Sequence, residues 1–182
     1  MRKVILAAMV VGMTASAAWC EEMVENPQYK SWAAFKVGTS IKTQTSSVMT
    51  VAGNEMANKS TMTTTLKELT PDKAVLEIAM EGMPEPQKLE VPAKVAKGTE
   101  TGQQPGVTVT KKGEGDEEVT VGGKKYKCHW VENQVTSDQM ESTTKAWTCD
   151  SVPGKLVKMV TETTKPMTMK ATMELVEVKV GA

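Results

Sequence analysis

The stretch KKYKCHWVENQVTSDQMESTTKAWTC, residues 124–149, decides the fold. β-Branched and aromatic residues recur along both of its arms, and its middle, around Ser137, Asp138 and Gln139, is short, polar and turn-forming. If Ser137 and Met140 close a two-residue loop at Asp138 and Gln139, the register follows without further choice. Cys128 then stands opposite Cys149, Trp130 opposite Trp147 and Glu132 opposite Lys145. One face of a hairpin would carry a thiol pair, an aromatic pair and an ion pair in succession. A disulfide between Cys128 and Cys149 is therefore expected, at a non-hydrogen-bonded site where opposed Cβ atoms come nearest. The pair lacks C-x-x-C spacing, so the bridge is assigned to stability and not to redox chemistry. Two buried free thiols are the alternative reading.

Outward from this hairpin, Thr and Val dominate the chain from residue 39 onward, with turn signals at short intervals, as in antiparallel β structure. The candidate strands are 39–51, 60–69, 74–80, 107–111, 117–121, 124–135, 142–149, 156–164 and 168–180. Thr70, Pro71, Asp72 and Lys73 form a tight reversal, and Gly122 with Gly123 suits a two-residue loop that needs positive φ. Alternation is clear in 74–80, where Ala74, Leu76, Ile78 and Met80 are apolar. In 60–69 and 39–44, Thr, Ser and Lys are so frequent that one face must be solvated or line something polar. The expected fold is mainly β: a curved antiparallel sheet, half-barrel-like, with one covered face, not a two-layer sandwich.

Asn26 and Pro27 mark a helix start, with Asn as N-cap and Pro where its missing N–H costs nothing. The short N-terminal helix that follows places Tyr29, Trp32 and Phe35 together, as a plug packed on the sheet; a sugar-stacking platform is the functional alternative. The region around 84–118 combines three prolines with Gly-, Glu-, Lys- and Gln-rich runs and reads as mobile loops within a single domain, 19–182.

Residues 1–18 have the order of a signal peptide: Arg2 and Lys3, an apolar run, then small residues with cleavage after Ala17 or Ala18. The apolar run is shorter than the roughly 20 residues that span a bilayer. No transmembrane segment is expected after cleavage, and the protein is expected to be periplasmic or secreted. Trp19 precedes Cys20 where a lipidation signal has a small residue, which argues against a lipoprotein. Cys20 is expected as a free thiol, an intermolecular bridge or, last, a lipid anchor.

Acids and bases balance, with 22 of each. The only arginine, Arg2, lies in the leader, so the rest of the chain has no bidentate fork for phosphate or guanine edges and is slightly acidic. Nucleic acid is excluded as a partner on that ground. A single Phe and 14 Met give a core and surface of adaptable rather than rigid apolar groups.

Chemistry is specified nowhere. His129 is the one histidine; no G-x-S-x-G accompanies it, and on a strand it points away from its neighbour Cys128. Cys128, His129, Cys149 and Asp150 lack zinc-ligand spacing. Asp116, Glu117 and Glu118 do not match an EF-hand loop and read as a solvated run. Met167 and Met169 share a strand face, a spacing open to Cu(I), although ordinary packing is the favoured reading. Asn58, Lys59 and Ser60 form a glycosylation sequon. No catalytic, cofactor-binding or metal residue is assigned, no cofactor is implied, and the chain reads as non-enzymatic.

Residues 121–130 (VGGKKYKCHW), 147–158 (WTCDSVPGKLVK) and 173–180 (MELVEVKV), with 30–38 and 69–75 (LTPDKAV), resemble small exported bacterial proteins of planctomycete type. The Val-x-Gly hairpin and the Trp-x-x-x-x-Val-Pro-Gly turn are also similar to lipoprotein carriers of the LolA and LolB type. That resemblance implies a half-barrel whose curved sheet, partly covered by helices, encloses an apolar cavity; it transfers no functional residue. Two functions follow as expectations: binding of an apolar ligand or lipid chain on the concave face of the sheet, or a structural role in the envelope, with a protein partner on the Thr- and Lys-rich face and no ligand cavity.

Overall fold

The computed structural model describes residues 22–51, 54–97 and 107–182. The leader, its cleavage site and Cys20 lie outside the described residues. Within them the elements are β1 (Met23–Glu25), α1 (Pro27–Ala33), β2 (Ser40–Val51), β3 (Asn54–Leu69), β4 (Lys73–Met80), β5 (Gln87–Pro92), β6 (Lys94–Ala96), β7 (Thr108–Val121), β8 (Lys124–Thr136), β9 (Glu141–Thr148), β10 (Leu156–Lys165) and β11 (Thr168–Lys179).

Nine strands form one antiparallel sheet in the order β5-β4-β3-β2-β11-β10-β9-β8-β7, and β1 pairs with β6 in a separate ribbon. The sheet is two meanders, β2 to β5 and β7 to β11, joined where β11 pairs with β2. It is strongly curved. The β7–β8 turn reaches back to β11 although β8, β9 and β10 lie between, so that a Cβ on Gly122 would stand 2.6 Å from the Val176 carbonyl oxygen. Bulges at Leu66/Glu68, Leu156/Lys158 and Leu175/Glu177 sit at the end of β3, the start of β10 and the end of β11, and add local twist there.

The core occupies that same end. Ile41, Leu66, Ala74, Leu76, Val91 and Leu175 are buried in one cluster with Trp32 of α1. Asn26 caps α1, accepting from Gln28 N at 2.9 Å, and its Nδ2 donates to the Pro92 carbonyl at 2.8 Å, which ties the helix to β5. Tyr29 donates to the Thr70 carbonyl at 2.7 Å, and Trp32 is 3% exposed. The aromatic helix is thus a plug, with both of its rings committed to the sheet; Phe35 lies beyond its end. Gly154 holds φ 73° under the Trp32 indole and donates to the Ser31 carbonyl, so the 149–155 segment closes over the helix.

The stretch expected to be loops around 84–118 is largely strand: it contains β5, β6 and most of β7. The Gly-, Glu- and Lys-rich run of residues 112–118 is held in β7 because every other ladder partner in β8 supplies backbone hydrogen bonds. Gly115 lies directly opposite Trp130, whose ring fills the space that a side chain would take. Residues 98–106 lie outside the described residues.

Candidate functional site

Directly opposed residues in a sheet share a face, so the registers sort each side chain. The positions paired with Ile41, Thr43, Thr45, Ser47 and Met49 of β2 run across the sheet from β5 to β9. On that face β3 carries Met56, Asn58, Ser60, Met62 and Thr64, and β4 carries Ala74, Leu76, Ile78 and Met80. β11 carries Met169, Ala171, Met173 and Leu175, β10 carries Met159, Thr161 and Thr163, and β9 carries Ser142, Thr144 and Ala146. No position that the register places on this face, over those seven strands, is charged.

The opposite face takes the charge. Lys158 bonds Glu174 at 2.8 Å, Lys170 bonds Glu162 at 2.7 Å, Lys73 bonds Glu90 at 2.7 Å, and the bulge residue Lys67 reaches Glu77 at 2.9 Å. Such exposed pairs add little stability. Their consequence is one-sidedness: lysines and glutamates that could neutralise an apolar surface are turned away from it.

Every methionine within the nine strands lies on the charge-free face, and each stands directly opposite another. Met62 pairs with Met80, Met159 with Met173, and Met49 with both Met56 and Met169. Three of the threonines on this face spend their hydroxyls on the protein. Thr144 and Thr161 hydrogen-bond each other at 3.2 Å, and Thr43 donates to the Met62 carbonyl at 3.5 Å. On β2, Met49 and Ser47 are half-buried where Val48, Ser46 and Thr50 are exposed, as on the inner side of a curved sheet. The face is roofed by α1 at the β4–β5 end and opens at the other end into a cleft of about 640 Å³. Gln139, Met140, Thr163, Lys165, Pro166, Met167 and Met169 line it.

A second, polar cleft of about 580 Å³ lies at the β7–β8 edge and holds His129, Asp116, Cys128 and Cys149. His129 Nδ1 is 2.9 Å from Asp116 Oδ1, and its Nε2 is 3.4 Å from Glu114 Oε2. The hydrogen bond to Asp116, then its charge and that of Glu114, hold the imidazole above its ordinary value of about 6.5. Lys111 bonds Glu114 and holds that carboxyl below the usual range, with His129 a smaller cause. Both ring nitrogens are engaged by carboxylates, and Cys128, the neighbour of His129 on the strand, alternates to the opposite face. Among the described residues no group of three or more His, Cys, Asp or Glu is placed to hold a metal ion.

The hairpin register is the one set by a loop at Asp138 and Gln139: Trp130 pairs with Trp147 and Glu132 with Lys145. Ser137 N bonds the Met140 carbonyl at 2.8 Å and closes the turn. Lys145 lies 4.0 Å from the Trp130 ring centre and 4.7 Å from that of Trp147, a cation over two indoles. The disulfide expected between Cys128 and Cys149 is not present; both are free thiols, Cys128 buried. The ladder between β8 and β9 ends at His129 and Thr148. Beyond it Cys149 N bonds the Lys155 carbonyl, so its strand turns away toward α1. Cys128 Sγ then donates to the Tyr126 carbonyl at 3.6 Å, while Cys149 Sγ takes Ser151 Oγ at 3.1 Å. Burial first, then the neighbouring Cys149 and Glu117, pushes the Cys128 thiol up.

No family model matches the chain. No curated protein matches it either. Solved structures that it is similar to include a protein from Bacteroides fragilis described as having a YmcC-like fold, at 9% identity over 80% of this chain and 97% of that one, with a TM-score of 0.45. A protein from Escherichia coli described as the hypothetical lipoprotein YmcC gives 11% identity over 84% and 89% of the two chains, with a TM-score of 0.32. A LolA superfamily protein from Nitrosomonas europaea gives 9% identity over 87% and 94%, with a TM-score of 0.25.

Sequence reading found the cysteines, the tryptophans and the Met-x-Met pair, and missed the charge-free face. Its signal was present: along β2, β3, β10 and β11 the methionines keep one parity and the charges of the regular ladder keep the other. Only the register shows that these parities fall on one side of the sheet.

Proposed function

We propose that this is a non-enzymatic exported protein that binds an apolar ligand, a lipid acyl chain by preference, along the charge-free face of its sheet. The observation that carries the reading is the segregation just described: seven adjacent strands without one charged position on that face, and all sheet methionines gathered on it in opposed groups. Methionine is unbranched and polarizable, and adapts to chains of differing shape better than a fixed Leu or Phe lining would. A large exposed apolar surface is commonly used for contact. The open cleft beside Met169 lies within the volume range of small-molecule sites and gives a chain a way in from the end away from α1. Polar methyl-bearing threonines between the methionines make release feasible, as a carrier or transient binder requires. The signal-peptide order of residues 1–18 supports export.

Two neighbouring residues test the reading. Ala171→Lys puts an ammonium on the charge-free face, and Thr172→Lys puts the same group on the other face one residue away. Titration with a fluorescent fatty acid should give binding that Ala171→Lys weakens at least tenfold and Thr172→Lys leaves within twofold. Absence of uptake by the unsubstituted protein, or equal loss in both variants, would overturn the assignment of the ligand to this face.

A further inference from the structure

We infer that the open end of the charge-free face is a thioether site for a soft monovalent cation of the Cu(I) class, argued from its donor set and not from acyl-chain binding. Three strands put Met56, Met49 and Met169 side by side, Met49 being directly opposite both neighbours. Opposed Cβ atoms stand about 5 Å apart, and the outer two strands are two spacings, or about 10 Å, apart. The Met56 and Met169 side chains, unbranched and flexible, have the reach to bridge that span toward Met49. Met167 and Met140 line the cleft that Met169 also lines, so further thioethers border the same opening.

The donor set determines the class of ion. Thioether sulfur is a soft ligand that selects Cu(I) and offers little to Mg²⁺, Ca²⁺ or Zn²⁺. The hard donors that would recruit those ions are withheld. Glu141, next to Met140, accepts from Gln134 Nε2 at 3.3 Å and lies 3.6 Å from Lys165, and Glu55 of β3 pairs with Thr50 on the other face. Access is open: Met56 is 59% exposed, Met167 44% and Met140 39%. The other methionine groups on this face, Met62 with Met80 and Met159 with Met173, offer two opposed thioethers each, one fewer than the end group. Among the methionine groups, the one with more donors at an exposed end is the one a soft ion fills first; the free thiols Cys128 and Cys149 are stronger soft ligands and have to be removed for the comparison.

The probe is Ag(I), an air-stable ion of the same softness, titrated into protein in which Cys20→Ser, Cys128→Ala and Cys149→Ser remove the competing thiols and carbon-13 marks the methionine methyls. Saturable shifts at one equivalent, at Met49 and Met169 with Met56 or Met167, while Met62, Met80, Met159 and Met173 stay in place, are expected. The double variant Met49→Leu/Met169→Leu keeps size and polarity close and should weaken Ag(I) at least tenfold while its circular dichroism spectrum and urea midpoint stay near those of the unsubstituted protein. Shifts spread evenly over all the methionines, no shift at one equivalent, or unchanged Ag(I) affinity in the double variant would each overturn the site. Loss of fatty-acid uptake from unsubstituted protein would bear on the acyl-chain reading and leave this one standing.

Discussion

Trp130 of β8 lies flat across Gly115 of β7, its cross-strand partner, so closely that a Cβ on the glycine would stand 3.0 Å from the indole Nε1. Gly113, beside it, would meet the same ring at 3.2 Å. The indole covers backbone that two glycines leave bare, which is how a Gly-rich edge strand stays in the sheet. Gly→Ala inside a strand ordinarily removes chain entropy from the unfolded state and stabilises by about 0.5–1 kcal/mol. Here the sign reverses. Gly115→Ala should lower the urea midpoint, by about 1–3 kcal/mol for forced overpacking, and shift Trp emission as the ring is lifted.

His129 supplies the pH dependence. Its folded value is raised, chiefly by the hydrogen bond to Asp116. A raised group contributes stability that is fully present below its unfolded value of about 6.5 and is lost as pH rises through the folded value. The imidazole should therefore titrate above about 6.5 by NMR, and stability should fall as pH climbs through that midpoint. Asp116→Asn removes the carboxylate that holds the imidazolium and should bring the titration back down, with a flatter profile on the alkaline side.

The two thiols should differ in reactivity. Cys128 is 2% exposed and burial pushes its thiol up, whereas Cys149 is partly exposed beside Ser151. Iodoacetamide at neutral pH should modify Cys149 first and Cys128 only on unfolding, as read by peptide mapping without reduction. Recovery of the two cysteines joined in one peptide would contradict the thiol arrangement.

Lys145 is held over both hairpin indoles, and Trp147 is buried with its Nε1 unpaired among the described residues. Trp147→Ala should be among the costliest single changes, about 3–5 kcal/mol. Lys145→Met, which keeps the stem and removes the charge, should cost no more than about 1 kcal/mol. Urea titrations of the two variants check the ordering.

The strand content, the Trp130–Trp147 register and the capped helix were legible because each rests on local chemistry. A two-residue loop fixes every pair in a hairpin, and Asn26 before Pro27 fixes a helix start. Three features were not legible. The Gly-rich stretch around 112–118 reads as a loop until Trp130 is seen to cover it from the neighbouring strand. The cysteines read as a bridge because the register, extended one step, opposes them; it ends at Thr148, where the chain leaves for α1. The charge-free face depends on which of β2 and β11 pair, a contact between the two ends of the sheet's sequence that no local signal states.

The central claim is that an acyl chain lies along the methionine-lined face. A palmitate carrying a photoactivatable diazirine at its chain end, crosslinked to the protein and mapped by peptide sequencing, tests it most directly. Adducts should concentrate on the charge-free face, at Met49, Met159, Met169, Ala171 or Met173. Adducts confined to the opposite face, around Lys158, Glu162 and Lys170, or distributed equally over both faces, would contradict the account.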